Sequence, residues 1–177
     1  MHRDLLLNKI TDILGATDDS LEATLVSMCD SAKRIFITGA GRSRLVGNFL
    51  GMRLMHSGYE AYVQGEIATP SIREGDLLIV ISGSGETTQL VSFANKAKSE
   101  GANVVLICSK SQSTIGDIAD QTIQIGNDDS FAKTKGLPMG TMFELSTLMF
   151  LEAAISYLIH EKDIAEEDMR YRHANME

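Results

Sequence analysis

Residues 80–90 read VISGSGETTQL: the end of an apolar run, an alternation of serine and glycine, then a polar helical pattern. A strand that ends on Ser82-Gly83-Ser84-Gly85 fills no space with side chains there. It presents hydroxyls and backbone N–H groups, and the glycines let a ligand oxygen approach the main chain closely. The run before it, Leu77 to Ile81, is apolar at every position, which marks a strand covered on both faces. The same order recurs upstream, where RIFITGAGRSR (34–44) reads as strand, glycine turn and helix start.

Working outward, strand patterns at 35–38, 60–63, 77–82, 103–108 and 121–125 alternate with helical ones. Buried strands separated by helices predict an α/β fold, a three-layer α-β-α arrangement around a five-stranded parallel sheet. Residues 1–31 form an N-terminal helical segment with apolar positions Leu6, Ile10, Ile13 and Leu14, then Leu21, Leu25 and Met28. Residues 33–160 form the α/β core and 161–177 a charged tail, all within a single domain. The segment Met142 to Ile159 is apolar on nearly every side, which predicts a subunit interface; a core helix within the chain is the other reading. The long irregular stretch 126–140 carries Lys133, Lys135, Gly136 and Pro138, and loops of this length are commonly functional.

The chain has 177 residues, 44% of them hydrophobic, a formal net charge of -8 and a pI near 5.0. An acidic balance argues against nucleic acid, whose phosphates require clustered Lys and Arg. Any anionic ligand must be captured by local donors against an unfavourable overall field. No uncharged apolar run reaches the roughly 18 residues of a membrane span, and MHRDLLLNKITD lacks a leader pattern. With Cys29 and Cys108 read as reduced core thiols, a cytoplasmic protein is expected. No G-x4-G-K-[ST] loop is present, and GAGRSR places Arg44 where a dinucleotide fingerprint has its third glycine. Histidine and cysteine spacings match no metal site.

The paired turns GAGRS (39–43) and SGSGETTQ (82–89) resemble those of the sugar isomerase (SIS) domain. Three further stretches, MRLMHSGYEAYVQGEIATPSI (52–72), LPMGTMFE (137–144) and RHANME (172–177), look like those of the 6-phospho-3-hexuloisomerase family. The resemblance implies a flavodoxin-like sheet and interconversion of D-arabino-hex-3-ulose 6-phosphate with fructose 6-phosphate through a 2,3-enediolate. It further implies a homotetramer with sites at subunit contacts, no metal or organic cofactor, and functional coupling to a 3-hexulose-6-phosphate synthase in the ribulose monophosphate route of formaldehyde fixation.

Matched by motif, Glu144 is the expected proton acceptor. Thr141-x-x-Glu144 is also the pattern of a helix capping box, so the carboxylate has a structural reading too. His173 is a second acid–base candidate, with a solvated tail histidine as the alternative. Ser43, Ser82, Ser84 and Thr87 are assigned to substrate, the last three chiefly to phosphate, and Gly83, Gly85 and Glu86 complete that turn. Arg42 pairs with a carboxylate or with phosphate, Glu66 with sugar hydroxyls or with water. Arg44 either adds charge near the phosphate or points to solvent. Lys133 and Lys135 read either as closing over substrate or as solubilising charge. Two rivals remain at this level: another aldose–ketose phosphosugar isomerase, and a non-catalytic module that senses a sugar phosphate.

Overall fold

The computed structural model describes residues 2–176. Its strands are β1 (Ile35–Gly39), β2 (Ala61–Val63), β3 (Leu77–Ile81), β4 (Asn103–Cys108) and β5 (Gln121–Gln124). Its helices are α1 (His2–Gly15), α2 (Leu21–Ser31), α3 (Arg42–His56), α4 (Thr88–Ser99), α5 (Thr114–Ile118), α6 (Thr141–Lys162) and α7 (Glu166–Arg172). Every strand lies within a residue of its expected position. The helix α7 was read only as a charged tail; it is short, has no buried residue, and its residues carry no apolar period to reveal it.

Successive side chains of a strand point to opposite faces, and the fully apolar strands feed two cores. Ile35, Ile37, Leu77, Ile79, Ile81, Val105 and Ile107 face one, with α1, α2, α3 and α6 packed over them. Phe36, Leu78, Val80, Val104, Leu106 and Cys108 face the other, beneath α4 and α5. All neighbouring strands are parallel, in the order β2-β1-β3-β4-β5, with Ile37 opposite Ile79 and Ile79 opposite Val105. This is the flavodoxin-like order the resemblance implied.

Helix α3 lies close on the sheet because it has glycine where it touches. A Cβ at Gly47 would stand 2.9 Å from Ile37 Cγ2, and one at Gly51 3.2 Å from Val63 Cγ2. The close approach missing from the turn at Arg44 is therefore made one turn further along.

Helix α6 is long and apolar enough to cross a bilayer by composition, but its apolar girth is taken up inside the chain. It packs on α1, α2 and α3, and Phe143, Phe150, Leu151, Ala154, Ile155 and Leu158 are buried. The inference of an interface from this helix is thus corrected: it is a core helix. The unpartnered apolar face lies instead on α3, where Leu45, Phe49 and Met52 are each more than half exposed, together with Met149 of α6.

At the opposite end of the sheet from the glycine turns, Asp76 is 1% exposed. It accepts hydrogen bonds from Arg34 Nε at 3.1 Å, Arg34 Nη2 at 2.6 Å and the Arg73 N–H at 2.7 Å. It thereby ties the entry of β1 to that of β3. Asp76→Ala takes the carboxylate from the Arg34 guanidinium, which keeps its bond to Ser71 O, and leaves the Arg73 amide unpaired; the expected loss is about 3 kcal/mol, read in a thermal melt as a Tm lower by roughly 6–12 °C.

Candidate active site

β1 sends its chain through α3 to β2 on one side, and β3 sends its chain through α4 to β4 on the other. The two glycine turns therefore diverge, and a crevice opens beyond their carboxyl ends. The cavity there measures ≈ 800 Å³, within the roughly 300–1,000 Å³ usual for small-molecule sites. Ser43, Gly83, Ser84, Ser109 and Glu144 line its floor and wall, and the 131–140 segment forms its rim. Phe131 anchors that segment edge-on against Phe143, with centroids 6.1 Å apart.

Glu144 stands in the first turn of α6. Its Oε2 accepts an ion-paired hydrogen bond from Arg42 Nε, at the first residue of α3. The carboxylate side chain is 11% exposed and the arginine 62%. Oε1 has no hydrogen-bond partner among the described residues. The capping-box reading fails: the N-cap is Gly140, in the left-handed region at φ 86°, and no side chain caps the helix. Glycine serves twice at that position, since a Cβ there would be strained and would lie 2.9 Å from Glu144 Oε1. The absence of a side chain at residue 140 is what leaves room for the carboxylate.

The turn after β3 is only partly a free cradle. Gly85 N–H donates to Ser82 O at 3.1 Å and Ser82 Oγ at 3.2 Å, and Glu86 N–H donates to Ser84 Oγ at 3.2 Å. Ser82 is 4% exposed, so its hydroxyl builds the turn and does not line the cavity. Gly85, at φ 67°, is pressed on Ser113: a Cβ would come within 2.2 Å of its Oγ. Glu86 accepts from Thr114 N–H at 2.8 Å and Thr114 Oγ1 at 2.6 Å. The threonine hydroxyl, with the amide beside it, holds this carboxyl below its usual range. Ser82, Gly85 and Glu86 thus all make bonds or contacts that hold the turn itself. The N–H groups of Gly83, Ser84 and Thr87 have no partner among the described residues, and they remain the turn's available donors.

Ser109 was missed by sequence reasoning. It follows β4 as Ser82 follows β3, so the strand-end rule that found one applies equally to the other. Its N–H and hydroxyl both donate to Gly83 O, the latter at 2.7 Å, and so aim the Gly83–Ser84 peptide.

Two expected residues lie elsewhere. Glu66 is exposed in the loop after β2, at a separate ≈ 360 Å³ cavity with Gln64 and Thr69. The Arg44 guanidinium rests over the neighbouring Gly65, away from the turn after β3. His173 stacks on His56 with centroids 5.0 Å apart, in a third cavity of ≈ 840 Å³ between α3, α6 and α7. His56 ends α3 and Arg42 begins it, a span of roughly 20 Å at 1.5 Å per residue. One chain therefore does not bring His173 to Glu144. Glu177, the last residue of the RHANME stretch, lies outside the described residues. Among those residues no cluster of His, Cys, Asp or Glu could hold a metal ion. Both cysteines are buried and free; burial, with Asp30 nearby, pushes the Cys29 thiol up to about 12, and burial raises Cys108. Neither provides a thiolate nucleophile.

Residues 28–157 match the SIS domain family. The chain is 48% identical over 178 residues to the 3-hexulose-6-phosphate isomerase of Methylomonas aminofaciens, covering 99% of this chain and 98% of the relative. It is 43% identical to that of Bacillus subtilis, across 83% and 82% of the two chains. A Methanococcus jannaschii crystal structure, from which a molecular function of 3-hexulose-6-phosphate isomerase was inferred, superposes with a TM-score of 0.88 at 36% identity, over 99% of both chains. With its parallel sheet, its diverging glycine turns and this full-length likeness, the chain belongs to the SIS domain family, among the 3-hexulose-6-phosphate isomerases.

Proposed function

We propose that the chain interconverts D-arabino-hex-3-ulose 6-phosphate and fructose 6-phosphate, with Glu144 as the base. The observation that carries this is the unpartnered Glu144 Oε1, which shares one cleft with Ser43 and Ser84. From fructose 6-phosphate, Oε1 takes the C3 proton, which is acidic because C2 is a carbonyl. The electron pair forms the C2–C3 double bond and charge collects on O2. The proton returns from the carboxyl to C2, O2 gains a proton as O3 loses one, and C3 becomes the ketone. The Ser43 hydroxyl is the neutral donor to those oxygens, and Arg42 keeps the carboxylate oriented and supplies positive charge beside the enediolate. The N–H groups of Gly83, Ser84 and Thr87 receive the phosphate, whose distance from the chemistry makes it an anchor for the reacting carbons.

A homotetramer and a role for His173 belong to the same proposal. The exposed apolar side chains of α3 adjoin the His56–His173 cavity, and burying them in a contact between copies of the chain carries His173 toward a neighbour's Glu144 cleft. There it exchanges protons with sugar oxygens during ring opening and enediol formation. The expected setting is cytoplasmic, alongside the synthase that makes the 3-hexulose phosphate.

Proton NMR with fructose 6-phosphate in D₂O should reveal a 3-hexulose product, with deuterium at C2 of that product and at C3 of the recovered fructose 6-phosphate to the extent that the carboxyl proton exchanges with solvent. An aldose product labelled at C2, with deuterium at C1 of the recovered fructose 6-phosphate, would instead identify aldose–ketose chemistry, and an unchanged spectrum with retained binding a sensing module. Glu144→Gln is expected to lower kcat by about 10²-fold or more, while calorimetry still detects fructose 6-phosphate binding. Mixing Glu144→Gln subunits with His173→Ala subunits should regain activity that neither shows alone. No recovery in co-assembled oligomers would remove His173 from the neighbour's site.

A further inference from the structure

We propose that Lys133 and Lys135, on the rim of the Glu144 cleft, bind the phosphate dianion of the substrate and set the preference for phosphorylated over free sugars. This deepens the phosphosugar reading above and rests on it. A sugar phosphate is close to doubly charged at neutral pH. The protein's net charge of -8 opposes its approach, and Glu144 adds a negative charge inside the cleft itself. The glycine turn answers with neutral donors alone, and part of its supply is consumed by Ser82 and Ser84 within the turn. Arg42 is occupied by Glu144. Among the described residues lining the cavity, the remaining formal positive charges are Lys133 and Lys135.

Neither lysine has an ion pair or hydrogen bond among the described residues, although the surface elsewhere pairs Lys96 with Glu100, Lys98 with Asp120 and Lys162 with Asp30. Two ammonium groups left without carboxylates face a cleft built for an anion. The segment that carries them is held from both sides: Gly126 N–H donates to Thr17 Oγ1 at 2.8 Å, and Phe131 packs on Phe143. The lysines follow that anchor by two and four positions, which keeps their backbone at the rim of the cleft they line, with its interior within reach of their four-carbon stems.

The test compares wild type with Lys133→Ala, Lys135→Ala, the double variant and the matching Lys→Arg pair, each first shown by thermal melting to be folded. The double alanine variant is expected to raise KM for fructose 6-phosphate by about tenfold or more, with kcat changed by less than about threefold. Inorganic phosphate should weaken as a competitive inhibitor in parallel, and the rise of KM with salt expected of the wild type should flatten. The arginine pair should retain most of the affinity, because charge is kept. If KM, phosphate inhibition and salt dependence all stay within about twofold of wild type, the lysines are solvated charge and the proposal falls. Should wild type show no turnover, calorimetric binding of inorganic phosphate still decides. Its loss in the double variant upholds the lysines while the isomerase reading fails, and its retention overturns them.

Discussion

β1 and β3 are hydrogen-bonded neighbours whose chains leave in opposite directions, one through α3 and the other through α4. Two strands that part in this way cannot be covered by one connection, so a crevice remains above their ends. The other features of the site follow from where that crevice falls. Arg42 and Ser43 arrive on the first turn, Gly83 and Ser84 on the second. The start of α6 then closes the third side with Glu144, fitted over a glycine that leaves its carboxylate room.

The turn after β3 gains precision by using some of its polar groups on itself. Ser82 receives Gly85 N–H, Glu86 is bound by Thr114, Ser109 grips Gly83 O, and Gly85 packs on Ser113. The hydrogen bonds among these contacts use up donors or acceptors of the turn, and together with the packing they fix the direction of those that remain. A preorganised set of donors needs no rearrangement as charge develops on the substrate, which is where electrostatic catalysis gets its advantage. The same economy leaves the turn with no formal positive charge of its own.

Helix α3 joins two regions that one chain keeps apart. Its first residue holds the Glu144 carboxylate, its last stacks on His173, and its outer face carries Leu45, Phe49 and Met52 into solvent. Its inner face has glycine against Ile37 and Val63, which draws it onto the sheet and turns the larger apolar side chains outward. A helix so placed is positioned by the sheet and available to a neighbour at once.

The sheet was legible in the residues because strands buried on both faces must be apolar at consecutive positions, and few other local structures tolerate Leu77 to Ile81. The phosphate-type turn and Glu144 were legible through residue types at strand and helix ends. Which donors stay free was not: Ser82 and Ser84 read alike in sequence, yet one is buried in the turn and the other faces the cleft, a difference made by Phe143, Ser109 and Ser113 packing from distant segments. Glu144 fitted a capping box equally well until the approach of Arg42, 102 residues away, gave its carboxylate another partner. The apolar girth of α6 suggested an interface because a linear pattern records that a side chain avoids water, not which segment shields it. Local preference and burial periodicity are written along the chain; pairing and facing are set only when distant segments meet.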